Sequence, residues 1–268
     1  MISSKRFFLI ISAFTASLLW VTNVYSLEYS FTDRNPIDGS KVKNYTFLLM
    51  KGKIKAGDYE ELKNFLKTDP ALTNFVKSRQ IILASPGGDV REAMMLGDFV
   101  RKTFSEVSVG NHFGPCMSSC FLILSSSVSR SWEENTVGLH RPYLSADAVD
   151  KKSVNKAIED QERAMTTVEN YLQLLRVPQN VINVMMATSS DNIVWLDGPG
   201  VTFGRYSPSY EQFLVAKCGL DMELERRYFS GEKSALSKVL KARECGSRST
   251  FNDAMNFFVV ELGGKPPF

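Results

Sequence analysis

Between Tyr45 and Gly204 the chain alternates short apolar runs with turns rich in Gly, Pro and Ser and with apolar residues at helical spacing. Tyr45 to Met50 predicts a strand, and the turn Lys51 to Asp58 leads into a helix carrying Tyr59, Leu62, Phe65 and Leu66 on one face. Gln80 to Ala84 predicts a short buried strand, followed by Ser85-Pro86-Gly87-Gly88 and a helix from Val90 to about Phe104. Asp89 is its expected N-cap, Glu92 stands three residues on as in a capping box, and Ala93, Gly97, Val100 and Phe104 mark the buried side.

Glu106 to Gly110 predicts another strand, and the segment after Ser118 predicts a helix to about Val128 that is apolar on all sides and therefore buried. Thr136 to His140 reads as a strand, ended by Arg141-Pro142-Tyr143. A long amphipathic helix is expected from Ala146 to Leu175, with Val154, Ile158, Met165, Val168, Tyr171, Leu172 and Leu175 along one stripe. Pro178 opens a further helix through Val181, Val184 and Met185, and Ser189 to Asn192 closes it before the apolar Ile193 to Leu196. Val201 to Gly204 is a last expected strand. Residues 27–44 predict an extended or looped entry, and the tail holds helical segments around Tyr210 to Ala216 and Ala235 to Ala242.

Composition narrows the class. The chain has 268 residues, 44% of them apolar and 23% charged, which is globular and not disordered. Its net charge of +3 is spread without any Lys/Arg block, so no nucleic-acid footprint is present. Lys5-Arg6, the apolar run Phe7 to Val21 and Val24-Tyr25-Ser26 predict a cleaved signal peptide over residues 1–26. The alternative is an uncleaved anchor, so a membrane contact is expected only in that case. Export places the mature protein outside the cytoplasm, periplasmic or secreted, and makes disulfides favourable. Cys218 and Cys245 are the expected structural bridge of the tail; Cys116 and Cys120 are a second candidate pair, and the spacing alone allows three pairings. No histidine accompanies the cysteines at ligand spacing, so neither a metal nor a cofactor is expected.

The chemistry centres on Gly114-Pro115-Cys116-Met117-Ser118-Ser119-Cys120, a pair of serines at the start of the apolar helix. The first N–H groups of a helix have no intrahelical partner and can face a developing anion. Taken alone, Ser118 is a helix cap. Gly87-Gly88 can bring bare backbone to a ligand, although an isolated Pro-Gly-Gly is ordinarily just a turn. A histidine base has to be His112 or His140, the two histidines of the chain.

Ala84-Ser85-Pro86-Gly87-Gly88-Asp89-Val90, Cys116-Met117-Ser118-Ser119-Cys120 and Gly138-Leu139-His140-Arg141-Pro142, in that order, resemble the proteolytic subunit of Clp protease and its exported relatives. The resemblance runs from about Tyr45 to Gly204. It implies a ClpP/crotonase-like α/β fold of repeated strand-helix units, assigned to residues 27–206; it does not cover 207–268, which its helical segments and its Cys218 and Cys245 mark as a small, mostly helical, disulfide-fastened appendage. It also implies Ser118 as nucleophile, with Ser119 as its rival, His140 as base and Asp191 as the third member, the last with its register about two residues off. The N–H groups of Gly87 or Gly88 and of Ser119 would form the oxyanion hole. The expected activity is that of an exported serine hydrolase, a peptidase with a peptide or protein substrate. The chain departs from the family in its export signal, its flanking cysteines, the Asp197-Gly198-Pro199-Gly200 break and its tail. A homo-oligomer is therefore left open, and barrel assembly is not carried over. Two alternatives stand beside this one: a catalytically silent ClpP-fold binding or scaffold protein, and crotonase chemistry on acyl thioesters, which export disfavours.

Overall fold

A computed structural model describes residues 26–43, 45–144, 149, 153–197 and 203–263. All of the expected signal peptide except Ser26 lies outside the described residues, as do Ala146, where the long helix was expected to begin, Gly198 to Thr202 and the end of the tail. No helix among the described residues is long and apolar enough to cross a membrane.

The main sheet is built from β1 (Glu28–Thr32), β2 (Phe47–Lys51), β3 (Gln80–Ala84), β4 (Glu106–Val109) and β6 (Ser129–Trp132), in the order β1-β2-β3-β4-β6. Only β1 runs antiparallel to its neighbour; the other pairs are parallel. Helices α1 (Asp58–Thr68), α2 (Leu72–Ser78), α3 (Val90–Lys102) and α4 (Cys120–Ser126) alternate with these strands. The α/β plan of repeated strand-helix units is thus present. Near-continuous burial of β2 and β3 follows from a parallel sheet covered on both faces. A second, three-stranded sheet holds β5 (Cys116–Met117), β7 (Val137–Leu139) and β8 (Val194–Trp195) in the order β5-β7-β8. A single bridge between Ser85 and Cys116 joins the end of β3 to this sheet.

Several elements differ from expectation for identifiable reasons. β1 gives the segment expected to be extended or looped a defined place at the sheet edge; its Tyr29 and Phe31 alternate toward the core, and Phe31 packs on Phe65 and Phe75. β6 hides behind a polar sequence, Ser-Arg-Ser-Trp, because Arg130 is buried with its guanidinium donating to the carbonyls of Ser125, Gly204 and Tyr206 at 3.0, 2.7 and 2.8 Å. Burial pushes that guanidinium down to about 9, so it stays charged at neutral pH. Phe203 and Gly204, the described part of the last expected strand, lie outside any strand, and Phe203 stacks under Arg130 instead. The long helix α5 runs Val154–Leu174, followed by α6 (Gln179–Ala187). Val168 and Leu172 of its apolar stripe are buried, whereas Val154 and Ile158 are exposed.

The tail forms α7 (Pro208–Cys218), α8 (Met222–Phe229), α9 (Leu236–Ser249) and α10 (Phe251–Leu262). The Cys218–Cys245 disulfide ties α7 to α9, and these helices share a small core of Tyr206, Tyr210, Leu214, Leu220 and Ala242. α10 behaves differently from an appendage. Its Phe258 is buried edge-on against Phe75 and Phe99, and the Tyr59 hydroxyl donates to Glu261, so the last helix completes the main core.

Candidate active site

α4 fixes the site. All seven of its residues are buried, and each of Phe121, Leu122, Ile123 and Leu124 contributes about 2 kcal/mol by leaving water. The helix start is therefore set by the core. Immediately before it, the chain leaves β5 and turns sharply at Ser118, whose φ is +57°. This left-handed conformation is costly for a residue with a Cβ and persists only where surroundings enforce it.

The surroundings of Ser118 are specific. Its N–H donates to the Gly138 carbonyl at 2.9 Å, the Met117 N–H to the Ser85 carbonyl at 2.8 Å, and the Cys116 N–H to the Thr136 carbonyl at 2.8 Å. The Cys116–Cys120 disulfide closes over the turn, so both candidate cysteine pairs are bridged. Ser118 is half-buried, and its Oγ makes no hydrogen bond among the described residues.

The Pro86-Gly87-Gly88 turn passes directly beneath this serine. Gly87 has a φ of +90°, and a Cβ there would lie 2.6 Å from the Ser118 Cβ. Gly88 has a φ of +149°, and a Cβ there would lie 2.0 Å from the Ile54 carbonyl oxygen. Both glycines are thus required by close approach. Beyond the turn, Asp89 caps α3 as expected, its carboxylate accepting from the Glu92 N–H at 2.8 Å. The other half of the capping box is absent: Glu92 accepts from the Tyr59 N–H, and the Asp89 N–H goes to the Ile54 carbonyl.

The proposed donors differ in availability. The Gly88 N–H donates to Ser119 Oγ at 2.7 Å, and that hydroxyl in turn donates to the Gly88 carbonyl at 3.1 Å. Ser119 is buried and its side chain is occupied in holding the turn. The Gly87 N–H rests on Ser85 Oγ at 3.1 Å, two residues back. The Ser119 N–H has no partner among the described residues, as its place before the first turn of α4 allows.

His140 follows β7, the parallel neighbour of β5; Cys116 pairs with Val137 and Met117 with Gly138, so Ser118 and His140 leave adjacent strand ends. Neighbouring strands lie only about 4.8 Å apart. No hydrogen bond joins Ser118 to His140. The imidazole is buried, and Nδ1 lies 2.9 Å from the Arg141 carbonyl oxygen, which can only accept. Nδ1 therefore carries the proton and Nε2 offers the lone pair of a base. The Arg141 N–H donates to the Thr188 carbonyl at 3.0 Å, pinning this strand end against the end of α6.

Asp191 lies in an exposed turn after α6, its N–H on Ser189 Oγ at 3.3 Å, and it makes no hydrogen bond to His140. The orienting contact to the imidazole comes from the Arg141 main chain instead. Sequence reasoning had no route to it, because a carbonyl leaves no residue-type signal. His112 is exposed on its loop, with its N–H on the Pro36 carbonyl and its ring against Phe113. A Cβ on Gly138 would press on Ile193 and Met117, 2.9 and 3.2 Å away, so these side chains and Trp195 make an apolar wall beside the serine turn. No group of three or more His, Cys, Asp or Glu residues among the described residues is placed to hold a metal ion.

No protein-family model and no curated protein matches the chain. Among solved structures, it is similar to a membrane-bound stomatin-specific protease at 15% identity, covering 55% of this chain and 70% of that one, with a TM-score of 0.40. It is also similar to an enoyl-CoA hydratase from Mycobacterium ulcerans at 11% identity, over 88% of this chain and 97% of that one, with a TM-score of 0.35. A human enoyl coenzyme A hydratase domain-containing protein shows 10% identity over 87% and 99% of the two chains, with a TM-score of 0.38. None of these likenesses assigns a role to a residue here.

Proposed function

We propose that the protein is an exported serine hydrolase of ClpP/crotonase-like type that cleaves peptide bonds through an acyl-enzyme on Ser118. The observation that carries this reading is the strained, unpartnered serine at the strand-to-helix turn, with a buried imidazole leaving the adjacent strand end. Non-glycine residues in the left-handed region cluster at functional sites, where the surrounding structure holds them.

In this mechanism Ser118 Oγ attacks the carbonyl carbon while its proton passes to His140 Nε2. The carbonyl oxygen becomes an oxyanion facing the Ser119 N–H, and the Gly87 N–H joins it by leaving the weak contact with Ser85. His140 returns the proton to the leaving amine, the carbon–nitrogen bond breaks, and water activated by the same imidazole releases the acyl group. The Ser118–His140 pair acts as a dyad oriented by the Arg141 carbonyl, and Asp191 contributes at most through solvent. Two disulfides support export, since such bridges persist in oxidising compartments.

The second reading, a silent peptide-binding protein on the same fold, is favoured by two observations: no hydrogen bond joins Ser118 and His140 among the described residues, and both glycine N–H groups are already engaged. Hydrolysis of an unfolded casein substrate separates the two. The hydrolase reading expects turnover that Ser118→Ala abolishes; equal turnover by both proteins would discard it.

A further inference from the structure

A second site lies at the opposite end of α4 from Ser118. There, a cavity of about 790 Å³ opens between the main domain and the tail. Its size falls within the range of small-molecule pockets, roughly 300–1,000 Å³. One side comes from the last turns of α3, α4 and α5, the other from α7 and the α9–α10 junction. The tail therefore builds half of it.

Three features give the cavity a chemistry. Its walls are apolar and aromatic, with Phe104, Val128, Tyr210, Phe213 and Phe257 among them. Arg101, Lys102 and Arg176 line it against the single carboxylate of Asp253; Arg101 pairs with Asp98, whereas Arg176 forms no ion pair among the described residues. Ser125 lines it from the last turn of α4. Two of the lining residues, Phe104 and Arg176, adopt φ values of +51° and +57° just past helix ends where glycine is usual. A glycine at either position would remove an aromatic wall or a cation from the cavity.

We infer that this cavity binds a single-chain amphiphile with an anionic head, the chain against the aromatic wall and the head among Arg176, Lys102 and Arg101. A ligand lying between these walls would also bridge the tail to the main domain. The site is separate from the proposed hydrolase centre, since the length of α4, about 10 Å for seven residues, divides Ser125 from Ser118.

Titration calorimetry of the purified protein with sodium dodecanoate, below its micelle concentration, tests this. Saturable one-to-one binding is expected, with dodecyl phosphate binding comparably and dodecanol at least tenfold more weakly. Arg176→Gln should weaken dodecanoate binding about tenfold, and Ser209→Trp, at an exposed lining position, should block it. Lys102→Gln is the second probe of the head site and should weaken binding severalfold in a folded protein. Absence of saturable binding, equal affinity for dodecanol, or unchanged affinity in folded Arg176→Gln and Lys102→Gln proteins would overturn the assignment.

Discussion

Gly87 and Ser118 approach so closely that a single methyl group on the glycine would sit 2.6 Å from the serine Cβ. Both residues occupy left-handed or near-left-handed backbone, and each turn holds the other in place. Gly87→Ala should therefore cost on the order of 3 kcal/mol through backbone strain and displacement of the serine turn. Urea denaturation measures the stability loss, and peptide hydrolysis should fall at least a hundredfold in whatever fraction remains folded.

The two disulfides should separate stability from activity. By loop-closure entropy, the short Cys116–Cys120 loop contributes about 2 kcal/mol and the longer Cys218–Cys245 loop about 3.6 kcal/mol. Replacing Cys218 and Cys245 by Ala should lower the melting temperature more. Replacing Cys116 and Cys120 should lower activity more, because that bridge spans Ser118. Melting curves and hydrolysis rates on the two double variants check the crossed ordering.

Arg130 supplies donors to three carbonyls, those of Ser125, Gly204 and Tyr206. Arg130→Met keeps much of the volume but leaves those acceptors unpaired, at about 1–3 kcal/mol each. We expect a net loss of roughly 3 kcal/mol by urea denaturation, part of the cost being offset by removal of a buried charge. Arg130→Lys should fall between, since one ammonium group cannot replace the planar guanidinium fork.

These residues also mark what was legible in the sequence. β3, the Asp89 cap and α3 were readable because an apolar run, a turn and a periodic helix follow one another with no conflicting signal. β6 was not, since a strand of Ser-Arg-Ser-Trp advertises a surface and its buried arginine is satisfied by carbonyls far along the chain. β5, two residues long, is held by long-range main-chain pairing that no local pattern encodes. At the site, Ser118 and His140 stood out by type and by their place at element ends. The engagement of the Gly88 N–H by Ser119, and of His140 by the Arg141 carbonyl, depended on tertiary contacts. Asp191 stands out only by its position after two helices, and no hydrogen bond joins it to the imidazole among the described residues.

Covalent labelling by a fluorophosphonate probe, with the modified residue located by peptide mass spectrometry, tests the central claim most directly. The account predicts modification at Ser118 in the wild type, none in Ser118→Ala, a loss of at least a hundredfold in rate for His140→Ala, and a change within about threefold for Asp191→Asn. Labelling at Ser119, or an equal rate in folded Ser118→Ala protein, would contradict it.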